Sequence, residues 1–125
     1  MVLPTGIATG DLRISSGVIS EISLDSKLEV LEGEMIYDAK GMHLLPGGID
    51  PQVHFREPGQ EFKEDLASGS AAAASGGITS FLDMPNNNPP ATTLESIEEK
   101  IASANKKCIT NFGFFIGATP DNVKE

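Results

Sequence analysis

Hydrophobic and polar positions along the chain change rhythm near Gly41. Before it, short apolar-alternating runs are separated by turn residues: Asp11 to Ile14, then Ser15-Ser16-Gly17, then Val18 to Leu24, and later Met35 to Asp38. Such runs predict short strands in a small antiparallel unit with much of its surface exposed. After Gly41 the pattern predicts strand, helix, strand, helix, strand. Ile49 to Phe55 alternates as a strand, and Lys63 to Ser75 reads as a helix whose small residues, Ala67, Ala71 and Ala74, could lie close against a sheet. Gly76-Gly77 ends that helix as a glycine C-cap. Ile78 to Met84 is a second, mostly apolar strand, of the kind covered on both faces. The loop Pro85 to Ala91 separates it from a helix opened by a Thr92/Glu95 capping box, with an apolar stripe of Leu94, Ile97, Ile101 and Ala104. Asn111 to Ile116 is a third strand, and Thr119-Pro120-Asp121 starts a further helix. Alternating β and α elements imply a parallel sheet, either doubly wound or closed into a barrel. The domain boundary falls between 1–45 and 46–125.

Composition narrows the classes of function. A hydrophobic share of 39% with 22% charged residues describes a globular chain rather than a disordered one. The net charge of −9 argues against nucleic acid and against an anionic membrane surface as partners. The single cysteine, Cys108, excludes an internal disulfide and fits a cytoplasmic setting. The first residues lack the basic flank and apolar run of a secretory signal, and Leu66 to Leu82 is too short and too rich in Gly, Ser and Ala to span a bilayer.

The chemistry concentrates in Ile49-Asp-Pro-Gln-Val-His-Phe-Arg-Glu-Pro-Gly59. On a strand, the period of two puts Asp50, Gln52, His54 and Arg56 on one face and Ile49, Pro51, Val53 and Phe55 on the other. An acid, an amide, an imidazole and a guanidinium in a row can hold a metal ion and an anionic substrate. A one-sided antiparallel strand would alternate in the same way. However, His54, Arg56 and Asn86 all fall at or just beyond the C-terminal ends of the first two strands after Gly41. In barrels and open α/β sheets that edge binds ligands.

Leu45-Pro-Gly-Gly-Ile-Asp50, Val53-His-Phe-Arg-Glu-Pro-Gly59, Lys63-Glu-Asp65 with the Ala-rich helix, Gly76-Gly-Ile-Thr79, Asp83-Met-Pro-Asn86 and Asn88-Pro-Pro90 occur in this order. In sequence and spacing the chain resembles the dihydroorotases, within the metal-dependent cyclic amidohydrolases, over roughly Gly10 to Glu125. Phe-Arg-Glu-Pro-Gly together with Met-Pro-Asn favours dihydroorotase over the similar allantoinases and dihydropyrimidinases. The resemblance implies the N-terminal part of a (β/α)8 TIM barrel, an α/β fold, preceded by part of a small β-sandwich. It implies interconversion of N-carbamoyl-L-aspartate and dihydroorotate in pyrimidine biosynthesis, with one or two zinc ions. By position, His54 would ligate metal, and Arg56 and Asn86 would hold the substrate carboxylate through a bidentate guanidinium and an amide donor. Asp50 would support these residues by hydrogen bonding rather than ligate. His43, just past the N-terminal region, is expected to be a surface or packing residue.

Two departures from the family pattern carry weight, one at Gln52 and one in length, with a smaller one at Asn87. Gln52 stands where the family has the first histidine of its metal pair, and its neutral carbonyl oxygen is a poor zinc donor beside imidazole or carboxylate. Asn87 stands where the family usually has threonine, a difference in loop geometry more than in chemistry. A full barrel of this type needs about 250 residues, so the chain reads as an N-terminal fragment, inactive alone, with one sheet edge exposed. The general base and remaining ligands are expected beyond residue 125. The partners implied are a small carboxylate-bearing substrate, a second copy of the chain, or an aspartate transcarbamoylase served by a non-catalytic homologue. Another cyclic-amide hydrolase, such as an allantoinase, keeps the chemistry and changes the substrate.

Overall fold

In the computed structural model, which describes residues 1–123, the N-terminal strands form two antiparallel ladders. Strand β1 (Val2–Leu3) pairs with β2 (Gly6–Ile7), and β3 (Gly10–Ser15) pairs with β4 (Val18–Leu24). The β3–β4 turn is two residues long, with Ser16 at φ 51° and Gly17 at φ 78°. Two consecutive positive φ values are what a twisted two-residue hairpin requires. The anticipated strand at Met35 to Asp38 does not form. Its alternation finds no neighbouring backbone to pair with, and alternation without a ladder does not make a strand.

The chain divides into two compact units, Met1–Pro46 and a second from Gly47 onward. The second is a three-stranded parallel sheet in the order β5 (Gly48–Val53), β6 (Ile78–Asp83), β7 (Asn111–Phe114). Helix α1 (Leu66–Ser75) connects β5 to β6, and α2 (Leu94–Lys107) connects β6 to β7. Leu66 of α1 and Ala104 of α2 share one buried cluster with Val53 and Phe81, with Phe55, Cys108, Phe112 and Phe114 packed around it. Both helices therefore cover the same face of the sheet. Successive right-handed βα units wound to one side are the arrangement of a barrel wall and equally of one half of a doubly wound sheet.

Several predicted faces are displaced. Strand β5 ends at Val53 rather than at Phe55, so Arg56 does not share a strand face with Asp50 and Gln52. Ile49 and Pro51 of its predicted apolar face are exposed. Helix α1 starts at Leu66 because Asp65 caps it, accepting the Ser68 amide at 2.7 Å. It buries Leu66, Gly69 and Ser70 while Ala67, Ala71 and Ala74 stay exposed. That face is one residue, about 100°, from the anticipated one. It is selected by the Phe55 ring, which a Cβ at Gly69 would meet at 2.7 Å. The capping box of α2 is Thr93/Ser96, not Thr92/Glu95. The helix buries Lys100 and Ala104 and leaves Leu94 and Ile101 exposed. The predicted stripe holds at Ala104 and fails at Leu94 and Ile101, because an inward position of the helix is filled by a lysine. After β7, Thr119 and Asn122 exchange hydrogen bonds across a turn. The anticipated helix does not form over its described part, and its continuation lies outside the described residues. No helix among the described residues is long and apolar enough to cross a membrane.

Candidate functional site

The site is assembled where β5 and β6 end side by side. Past the end of β5, the Met84 amide donates to the Val53 carbonyl at 3.0 Å, and Asp83 Oδ1 accepts the Phe55 amide at 3.0 Å. Between these anchors, His54 is exposed with Nδ1 2.9 Å from Asn86 Oδ1. An amide oxygen only accepts, so in this pairing the imidazole donates from Nδ1, and a neutral ring so placed keeps its lone pair on Nε2. The pairing also leaves the Asn86 Nδ2 amide available to a second acceptor.

Arg56 follows at φ 57°, with the Glu57 amide donating back to the Phe55 carbonyl at 2.6 Å. That bond closes a tight three-residue turn centred on Arg56, a conformation uncommon for a residue with a side chain. Backbone of this kind costs about 1–3 kcal/mol and persists where its surroundings over-determine it. Arg56 is half-buried, and among the described residues its guanidinium has no carboxylate or other hydrogen-bond partner. Gln52 is exposed, and its backbone N–H donates to Asp50 Oδ1 at 3.1 Å within β5, so the Asp50 carboxylate is engaged locally. His43 is exposed and lies in the N-terminal unit.

The two site-bearing loops are fixed to each other. The Asn88 amide donates to the Pro58 carbonyl at 3.1 Å. Gly59, at φ 91°, comes so close that an added Cβ would stand 1.8 Å from the Asn88 carbonyl oxygen. Glu57 is buried, its carboxylate accepting the Leu66 amide and the Ser103 hydroxyl, each at 3.0 Å, and the Lys107 ammonium. Burial pushes the Glu57 carboxyl up, but the Lys107 ammonium, the Leu66 amide and the Ser103 hydroxyl together hold it below the usual glutamate range. Cys108 packs at the core edge, and burial pushes its thiol up, away from nucleophilic use.

Sequence reasoning missed a buried group beneath the site. Lys100, 2% exposed, donates from Nζ to Asp83 Oδ2 at 2.7 Å and to Asn87 Oδ1 at 2.8 Å, and sits 4.6 Å from the Phe114 ring centre. Asn87 Nδ2 in turn donates to the Glu57 carbonyl at 2.8 Å. The available signal was a lysine at i+3 from Ile97 and i−4 from Ala104, on the stripe of an amphipathic helix beside a strand ending in Asp.

The amidohydrolase family profile matches residues 43–124. The chain belongs to the amidohydrolase family. It is 46% identical to a dihydroorotase of Methanosarcina mazei, over 87% of this chain and 24% of that protein. It is 37% identical to an allantoinase of Deinococcus radiodurans, over 100% of this chain and 28% of that one. Among solved structures, the L-hydantoinase (dihydropyrimidinase) from Arthrobacter aurescens superposes with a TM-score of 0.78 at 34% identity, covering 94% of this chain and 26% of that chain. The chain thus spans about a quarter of the length of the relatives it matches. Its fold class is the one expected, α/β and the first βα units of an amidohydrolase barrel.

The described residues do not by themselves compose a metal centre. No three His, Cys, Asp or Glu side chains among them converge on one point. At the expected pair of positions stand one imidazole, His54, and one neutral amide, Gln52. Such a donor set supplies one good zinc ligand where a catalytic site needs about three.

Proposed function

We propose that the protein containing this chain is a cyclic amidohydrolase of dihydroorotase type, and that this segment carries its carboxylate clamp. The observation that carries the reading is the His54–Asn86 contact at the adjoining ends of β5 and β6, with the Arg56 guanidinium, which has no partner among the described residues, two residues on. Arg56 would grip a substrate carboxylate through two parallel N–H donors. Asn86, its oxygen already engaged by His54, would add one more from Nδ2. The substrate on this reading is N-carbamoyl-L-aspartate or dihydroorotate, in a cytoplasmic pyrimidine pathway. Zinc, as one or two ions, enters through family likeness, and the contribution of this segment to it is His54 Nε2.

Two observations favour neighbouring readings. Identity to allantoinases over the whole chain supports a different cyclic amide as substrate. Gln52 supports a non-catalytic homologue acting as partner to an aspartate transcarbamoylase. The deciding experiment is zinc analysis and turnover of carbamoyl-aspartate, allantoin and hydantoin by the full-length protein. Conversion of carbamoyl-aspartate, with KM raised at least about tenfold in Arg56→Met, is expected. Absence of turnover on all three substrates with metal loaded would sink the hydrolase reading. Activity gained only in Gln52→His would favour the non-catalytic partner.

A further inference from the structure

We propose that Lys100 is a positioning residue, which from α2 sets the backbone turn that presents Arg56. The two groups bracketing Arg56 in the chain are each held by a residue that Lys100 holds. The Phe55 amide donates to Asp83 Oδ1, and Lys100 donates to Asp83 Oδ2. The Glu57 carbonyl accepts from Asn87 Nδ2, and Lys100 donates to Asn87 Oδ1. One ammonium therefore ties down both sides of a left-handed turn that Arg56 would not adopt unaided. The same Asn87 neighbours Asn86, so the ammonium also fixes the loop that brings the second clamp residue. A lysine nearly without solvent exposure, with two oxygen acceptors and an aromatic face around it, has little freedom to move. Asn87 is the connecting piece. A threonine there, as the sequence pattern of the family suggests, has one short hydroxyl and could not reach both Lys100 and the Glu57 carbonyl in the way an amide does.

The inference rests on the reading of Arg56 as a carboxylate clamp, and its test does not require turnover. Lys100→Met strips the partner from a buried carboxylate and risks the fold, so Asn87→Ala in the full-length protein is the informative variant. It cuts the link to Glu57 and leaves the Lys100–Asp83 pair in place. Amide exchange at Glu57 should quicken about tenfold, while that of Phe55, whose acceptor Asp83 keeps Lys100, and of Phe81 and Leu82 within β6 stays unchanged. Affinity for malonate, a small dicarboxylate probe, should weaken about tenfold, with a smaller drop in the unfolding midpoint than Lys100→Met gives. Unchanged exchange at Glu57, or unchanged malonate affinity, overturns the positioning role. So does a wild-type protein that does not bind malonate. Malonate binding without turnover of any cyclic amide would instead end the hydrolase reading alone.

Discussion

Each of the two units pairs a cation with acidic side chains, Arg13 with two and Lys100 with one, and the two cations differ in what they hold. In the N-terminal unit, Arg13 donates to Glu34 at 2.6 Å, pairs with Glu21 across the hairpin, and reaches the Glu29 carbonyl at 2.6 Å. Its carboxylate partners are open to solvent, with side chains 48% and 29% exposed. In the second unit, Lys100 and Asp83 are almost sealed from water. Water competes for the first set of contacts and screens them, while for the second there is no alternative partner. Similar charges therefore organise a surface segment in one unit and a functional edge in the other.

The largest effect expected from breaking this contrast is at Lys100. Lys100→Met leaves Asp83 charged, buried and unpaired, which should cost about 3–5 kcal/mol in denaturant unfolding. Adding Asp83→Leu should recover only part of that loss, because the Phe55 amide would then lack its acceptor. Full recovery in the double variant would mean that the pair contributes nothing beyond its own charges. Next comes Gly59→Ala. It imposes a Cβ on a left-handed residue and against the Asn88 carbonyl oxygen, which is backbone and cannot rotate away. The loss should exceed about 1 kcal/mol and should be accompanied by faster amide exchange at Asn88, whose partner is Pro58.

Much of the second unit was legible because its signals are local. Gly76-Gly77 marks the end of α1, and Asp83 and Asn111 flank predictable apolar strands. The composition of residues 49–59 marked where the chemistry lies. What stayed hidden depends on partners distant in sequence. Nothing near Arg56 in the chain announces a left-handed turn, since that turn is held by Asp83 and Asn87 some thirty residues later. The buried face of α1 was displaced by one residue because the Phe55 ring, not the alanine spacing, chooses Gly69. Lys100 was hidden because periodicity counts apolar residues, whereas this inward position is filled by an ammonium whose acceptor lies on β6.

Glu57 tests the sealed side of the comparison by pH. Its carboxyl is held below the ordinary value of 4.5 in the folded state, so the unfolded chain binds more protons in mildly acid solution. Its contribution is complete above that value and is lost as pH falls through the folded pKa. Stability measured from pH 7 downward should decline in that window, and Glu57→Gln should flatten the decline. The Lys107 ammonium is raised above 10.5 by its hydrogen bond to Glu57, so its contribution is lost instead at the alkaline end. An acid limb equally steep in Glu57→Gln would assign the loss to other carboxylates.

The smallest effect is expected at Arg13, and it is informative because it should be local. Arg13 ties β3 to an irregular segment whose Leu28 amide donates to Asp11 and whose Leu31 amide donates to Glu34. The β3–β4 hairpin has its own backbone ladder and a turn suited to its twist. Arg13→Ala should therefore quicken amide exchange at Leu31, leave the amides that pair β3 with β4 protected, and barely move the unfolding midpoint. Salt near 1 M, where screening acts within about 3 Å, should have a similar effect on the wild-type chain. If Arg13→Ala instead released the hairpin amides as well, the exposed pairs would be holding the strands together, and burial would not be what separates the two cations.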